Sequence, residues 1–141
     1  SKEIDLNKDL CNQIASKIDY LRKSCWEYLG VSRSKHKMQN FVKELQIEFS
    51  NLNQNELLIM TKELGFNQKI SLDEPKRRAL NLLMDLNNRH ITTKLLLDAC
   101  LFREESRGGH FRFDFPKKDE DWECHSRQSK SEKIQKRYIK N

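Results

Sequence analysis

The 141 residues include only four glycines and two prolines, too few for a turn-rich β fold, so long helices are expected to carry the chain. No run approaches the eighteen or so apolar residues that a membrane span needs, and the N-terminus lacks the charged-then-apolar order of a signal peptide. The chain therefore reads as soluble and cytoplasmic, with no membrane partner. Four cysteines, Cys11, Cys25, Cys100 and Cys124, are scattered without C-x-x-C spacing. A zinc site wants two close pairs, and Cys124 and His125 cannot readily chelate one ion from adjacent positions, so reduced thiols and no metal are expected. No glycine-rich phosphate loop follows a strand, no serine nucleophile elbow occurs and no His-Glu metal motif is present. The chain shows no catalytic residue and no dinucleotide fingerprint of its own.

What is abundant is charge. Lys and Arg number 27 against 21 Asp and Glu, a net +6. Most of it lies in the last sixteen or so residues, where Arg127, Lys130, Lys133, Lys136, Arg137 and Lys140 face only Glu132. A basic tail on a near-neutral body suits a solvated or partner-seeking extension. Nucleic-acid binding would want a basic face on the folded part, so it is not expected.

Apolar periodicity predicts an all-α fold, a three-helix antiparallel bundle of the spectrin-repeat kind with an extended C-terminal segment. A loosely ordered lead over 1–10 precedes a helical domain over 11–125, and a basic tail occupies 126–141, with helix around Ile134 and Tyr138. The first helix carries Ile14, Ile18, Leu21, Cys25 and Tyr28 or Leu29 on one face, with Trp26 widening the stripe and Gly30 ending it. Ser34 caps a second helix faced by Met38, Phe41, Val42, Leu45, Phe49 and Leu52. A short helix follows from Glu56 to Leu64 with Asn55 as cap. Ser71, Asp73 and Pro75 open a long helix bearing Leu80, Leu83, Met84, Ile91, Leu95, Leu97 and Leu101, which is expected to weaken near Asn87–Thr93 and to stop near Arg107 at Gly108-Gly109. The chain opens without a methionine, which suits a piece of a longer protein and equally removal of an initiator methionine before Ser1.

The densest stretch is Arg103-Glu104-Glu105-Ser106-Arg107-Gly108-Gly109-His110-Phe111-Arg112-Phe113-Asp114-Phe115-Pro116. Phe111, Phe113 and Phe115 alternate with Arg112 and Asp114, the period of an extended strip with one face buried, closed by Pro116. Glu104, Glu105, Arg107 and His110 can be drawn as an acid-base cluster. They can equally be read as charge-assisted hydrogen bonds fixing a helix end to the strip.

With Trp122 and His125 downstream, this stretch resembles the C-terminal segment of the flavoprotein family that contains L-aspartate oxidase and the succinate dehydrogenase and fumarate reductase flavoprotein subunits. A weaker likeness lies at Leu21-Arg22, Trp26 and Gly30-Val31-Ser32-Arg33. The resemblance implies a helical C-terminal domain that packs on the FAD-binding and capping domains of the same polypeptide, with FAD held upstream. It implies that Arg33, Arg103, Glu105, Ser106, Arg107, Gly108, His110, Arg112, Asp114, Pro116, Trp122 and His125 form a domain-interface motif. Gly-Gly-His-Phe-Arg and Asp-Trp-x-Cys-His look most similar to the aspartate oxidase branch. That branch implies oxidation of L-aspartate to iminoaspartate, reoxidation of the flavin by oxygen or fumarate, and quinolinate synthase as neighbour in NAD biosynthesis. The succinate dehydrogenase and fumarate reductase branch is the alternative. A helical interaction module whose basic tail binds acidic protein or RNA is a second.

Overall fold

A computed structural model describes residues 2–138, with side chains from Asp9 onward. The fold is all-α with small strands: α1 (Lys2–Leu29), β1 (Ser32–Arg33), α2 (Lys35–Asn53), α3 (Glu56–Glu63), α4 (Glu74–Phe102), β2 (Phe111–Arg112), a 3-10 turn (Glu120–Trp122), β3 (His125–Arg127) and β4 (Gln135–Arg137). The described residues hold four helices, the three long ones and the short α3 that was expected over Glu56 to Leu64. The side chains of most of the lead over 1–10 lie outside the described residues, although the backbone is helical from Lys2.

The helix starts follow their local chemistry. Asn55 accepts a hydrogen bond from Leu57 N at 3.0 Å and caps α3, while Asp73 accepts from Lys76 N at 2.9 Å at the head of α4. At α2, Ser34 contributes its carbonyl, which accepts from Met38 N at 3.0 Å. Asp114 supplies a side-chain acceptor from far along the chain, taking the N–H of Lys35 at 3.3 Å. A carboxylate there also suits the positive end of the helix dipole.

The chain divides into two compact units. The first comprises Ser1–Lys23 and Leu45–Ile91, and its buried apolar residues are Cys11, Ile14, Leu21, Leu45, Leu52, Leu58, Ala79, Leu83 and Leu86. The second comprises Ser24–Glu44 and Thr92–Asn141, with Leu29, Met38, Phe41, Leu97 and Cys100 buried. In the second unit Tyr28 stacks on Phe41 at 5.0 Å between ring centroids.

The buried stripe of α4 is Ala79, Leu83, Leu86, His90, Thr93, Leu97 and Cys100. Its alternating steps of four and three keep these residues on one side of the helix. The expected stripe is thereby corrected: Met84, Ile91 and Leu95 are almost half exposed, and the polar His90 and Thr93 take the inward places. Ranking positions by apolarity alone rotates the face, because a seam also accepts small and polar residues where side chains crowd. The expected weakening near Asn87–Thr93 is absent, and α4 runs unbroken through it. Burial along a continuous stripe outweighs the few tenths of a kcal/mol per residue by which Asn and Thr disfavour helix. Trp26 does not widen the α1 stripe; it is 78% exposed.

The described part of the tail, 126–138, is not helical. β3 and β4 form an antiparallel ladder pairing His125 with Arg137 and Arg127 with Gln135. The spacing of Ile134 and Tyr138 is overridden by Trp122, over whose ring the Lys136 ammonium sits 3.7 Å from the centroid, and by Asp121 O, which accepts from Lys136 at 2.9 Å and Tyr138 at 3.2 Å. No helix among the described residues is long and apolar enough to cross a membrane.

Candidate functional site

The charged stretch lies wholly in the second unit, and the helix before it ends about one turn earlier than expected. α4 stops at Phe102, and Arg103 N makes the last helical bond, to Ala99 O at 3.2 Å. A helix end leaves carbonyl groups without partners inside the helix. Here they are taken by a side chain ten residues downstream: Arg112 Nη1 donates to Cys100 O, Leu101 O and Arg103 O at 3.0–3.1 Å. The guanidinium is completely buried, its Nε donates to Asp114 at 3.0 Å and its Nη2 also bonds that carboxylate. The Phe115 ring lies 4.8 Å from its central carbon. Arg112 thus places positive charge at the negative end of the α4 dipole with all its sides occupied.

Gly108-Gly109 has a different task from the one expected. Arg107 N donates to His110 O at 2.8 Å and His110 N donates back to Arg107 O at 3.0 Å, so the glycines form the tip of a tight turn. Gly108 has φ +57, a conformation that a side chain would strain. Returning from the turn, Phe111–Arg112 pairs in parallel with Ser32–Arg33, with Phe113 N bonding Arg33 O at 2.9 Å. The ladder then bends through Phe115 N to Arg112 O at 3.2 Å, so Pro116 follows its end instead of causing it.

Glu105 is the second buried hub, fully enclosed. It receives Arg103 Nη1, Arg107 Nε at 2.9 Å and Asp119 N at 3.0 Å. Burial alone would push its carboxyl up, but the donors from Arg107, Asp119 and Arg103 together outweigh it and hold the group at about 2. Arg103 also reaches Trp122 O at 2.8 Å and Cys124 O, tying the downstream segment to the end of α4. Trp122 meets Phe102 edge-on at 5.2 Å, which accounts for a tryptophan in a charged neighbourhood. Ser106 knits the loop closed, accepting from Arg112 N at 2.9 Å and donating to Phe115 O at 2.7 Å.

His110 is braced on both nitrogens. Nε2 lies 3.2 Å from Arg103 O and Nδ1 lies 3.1 Å from Arg33 Nη1. A carbonyl can only accept, so Nε2 carries the proton and Nδ1 accepts from the guanidinium. Burial lowers the proton affinity of this imidazole, Arg33, Arg112 and Arg103 lower it further, and only the bond to Arg103 O opposes. Arg33 also bonds Leu29 O through Nε and Nη2 at 3.1 and 2.9 Å, and Gly109 O at 3.2 Å.

The motif residues Arg33, Arg103, Glu105, Ser106, Arg107, His110, Arg112, Asp114 and Trp122 are therefore brought together, and the acid-base drawing resolves into the interlocked reading. Glu105 and His110 do not bond each other, and Arg103 and Arg107 both lie beyond the end of α4. Pro116 and His125 are exposed and stand outside the lattice. Among the described residues no group of three or more metal-ligating side chains occurs and no strand exceeds three residues.

The expected one-sided burial of the strip falls on its charged side: His110, Arg112 and Asp114 bond within the lattice, Phe111 is half-buried and Phe113 is 67% exposed.

Residues 19–140, which contain this whole lattice, match the family described as the fumarate reductase flavoprotein C-term. The chain belongs to that family. Among curated relatives, an L-aspartate oxidase of Synechocystis sp. is 33% identical over 105 residues, covering 72% of this chain and 18% of the relative. One from Nostoc sp. is 30% identical over 119 residues, covering 82% and 20%. A chain of the fumarate reductase (CoM/CoB) of Methanothermobacter marburgensis is 29% identical over 106 residues, covering 74% and 17%. The chain thus spans about a fifth of the length of these flavoprotein relatives. No solved structure matches.

Proposed function

We propose that this chain is the C-terminal domain of an FAD-dependent L-aspartate oxidase, itself non-catalytic, which packs against the FAD-binding and capping domains of a longer polypeptide. The single observation that supports this best is the match over residues 19–140 to a flavoprotein C-terminal family, with L-aspartate oxidases among the relatives. The geometry is in keeping with that part: Arg112, Glu105 and Ser106 of the charged motif are taken up in bracing the chain. In this reading FAD is held upstream and takes a hydride from L-aspartate to give iminoaspartate, and oxygen or fumarate reoxidises it. The setting is cytoplasmic and quinolinate synthase uses the product. The motif's part is to hold the strip in a fixed shape beside the flavin-carrying body.

A second reading, the same domain of a succinate dehydrogenase or fumarate reductase flavoprotein, is favoured by the fumarate reductase relative at 29% identity. One assay separates them. The full-length gene product, purified with its flavin, is offered L-aspartate or succinate as reductant. Flavin bleaching by L-aspartate alone is the expected outcome, bleaching by succinate alone transfers the proposal to the second reading, and a protein without flavin rejects both.

A further inference from the structure

The basic tail, read from the sequence as an extension, is a folded element with two unlike sides. Gln128 donates to Leu95 O of α4 at 3.0 Å, Lys136 and Tyr138 donate to Asp121 O, and the Lys136 ammonium covers the Trp122 ring. Residues directly opposite each other in an antiparallel ladder share a side. The register therefore puts the half-buried Lys136 and Ser126 on the side that meets Trp122. His125, Arg127, Gln135 and Arg137, all exposed, take the outward side.

The charge of this element is unmatched. From Ser126 to Tyr138 five basic residues stand against Glu132 alone, a net of +4. In the lattice after α4 each arginine has an acid, Arg103 and Arg107 through Glu105 and Arg112 through Asp114. Among the described residues Arg127, Lys130, Lys133 and Arg137 make no ion pair, and Glu132 accepts from Ser129 at 3.4 Å.

The spacing of the outward cations points to the chemistry of a partner. Arg127 faces Gln135, and Arg137 lies two residues further along the other strand, so the two arginines are diagonal neighbours, about 7–8 Å apart at the backbone. An extended chain repeats its side at every second residue, about 6.6–6.8 Å. A segment with Asp or Glu at alternate places thus brings one carboxylate to each guanidinium, the planar pairing that Arg makes best. Single-stranded nucleic acid asks for Phe, Tyr or Trp beside the cations, and a bilayer asks for apolar side chains. The outward side holds neither.

We propose that the outward side of the β3–β4 hairpin docks an extended acidic segment of another protein, with Asp or Glu at alternate positions seated on Arg127 and Arg137. Lys130 and Lys133, in the connection between the strands, draw it in by charge at longer range. The bonds of Gln128, Lys136 and Tyr138 hold the hairpin against its own unit, so the face is set before its partner arrives. Nothing in this surface depends on which substrate the longer polypeptide oxidises.

The test uses the purified full-length gene product and a fluorescein-labelled peptide of about eight residues in which Glu and Thr alternate. A peptide of the same composition with its Glu residues in one block is the comparison. Arg127→Glu/Arg137→Glu is set beside Lys117→Glu/Lys118→Glu, which reverses the same charge at exposed positions of the same unit. Binding is read by fluorescence anisotropy, and thermal unfolding of each variant checks its folding. The parent is expected to bind the alternating peptide at least about threefold more tightly than the blocked one. Arg127→Glu/Arg137→Glu is expected to weaken that binding at least about tenfold at an unchanged unfolding midpoint, with Lys117→Glu/Lys118→Glu within about threefold of the parent. If Arg127→Glu/Arg137→Glu does not fold, the comparison of the two peptides on the parent decides alone. No binding by the parent, equal affinity for the two peptides, or equal loss in both double variants overturns the proposal. Tighter binding of a poly(U) oligonucleotide or of phosphatidylserine vesicles, lost in Arg127→Glu/Arg137→Glu, assigns the face to phosphate groups and overturns it too.

Discussion

The stripe of α4 and the strip that follows it solve the same problem with opposite materials. Along α4, Leu83, Leu86 and Leu97 are buried to within a few per cent, and stabilisation comes from apolar area removed from water. Beyond Phe102 the most deeply buried side chains are Arg112 and Glu105, and cohesion comes from hydrogen bonds between charges and carbonyls. The two differ in what they tolerate. A leucine stripe yields gradually when trimmed, whereas a buried charge with its partners removed leaves the rest uncompensated. The first arrangement fixes which helix faces meet; the second fixes the shape of a segment too short to own a core.

The largest effect should come from breaking the second arrangement. Arg112→Leu strips the donor from the α4 carbonyls of Cys100 and Leu101 and from Arg103 O and leaves Asp114 without its guanidinium, and urea unfolding of this chain is expected to show a loss of about 3–5 kcal/mol. Leu86→Ala, at a residue 1% exposed, should cost about 2–5 kcal/mol by the same measurement, within the range for cavities in packed cores.

Acid separates the two further. Glu105, held at about 2 in the folded chain against a usual 4.5, contributes stability that is complete above the unfolded value and disappears as the pH falls through the folded one. A pH titration of unfolding should therefore steepen below about pH 4.5, and Glu105→Gln should flatten that limb while lowering stability at neutral pH.

In α4 the titrating group is His90. Its proton affinity is lowered chiefly by burial, opposed by nearby Glu48 and assisted by Lys17, and its Nδ1 has no hydrogen-bond partner. The unfolded chain then holds the extra proton first, so stability is full above about pH 6.5 and declines as the pH falls below it. His90→Leu should remove that decline and raise the midpoint of unfolding at pH 5.5 more than at pH 8. A smaller effect, about 1 kcal/mol, is expected from Asn55→Ala, which removes only the cap of α3.

The two arrangements also differ in how much of them the residues reveal. The helices are readable because their signals are local: Asn55 and Asp73 precede helix starts, and Met38, Phe41 and Leu45 repeat at helical spacing. The α4 face is misread where the inward positions are Ala79, His90 and Thr93, since apolarity ranks them below Met84 and Ile91 although geometry puts them inside. The motif residues are visible as a group, yet their roles are not, because the deciding contact is non-local. Nothing near Phe102 says that its helix is capped by Arg112, and without that knowledge the glycine pair is the obvious stop. For the same reason spacing alone assigns the aromatic side of the strip to the interior. The tail misleads for a related cause, as Lys136 and Tyr138 are recruited by Trp122 and Asp121 across the intervening chain.

The most direct measurement is urea unfolding of this chain with Arg112→Leu beside Phe113→Asp, neighbours on opposite sides of one ribbon. If the strip is held from its charged side and offers its aromatic side outward, Arg112→Leu loses about 3–5 kcal/mol while Phe113→Asp stays within about 0.5 kcal/mol of the parent. An unperturbed Arg112→Leu, or a Phe113→Asp as damaged as it, would contradict that arrangement.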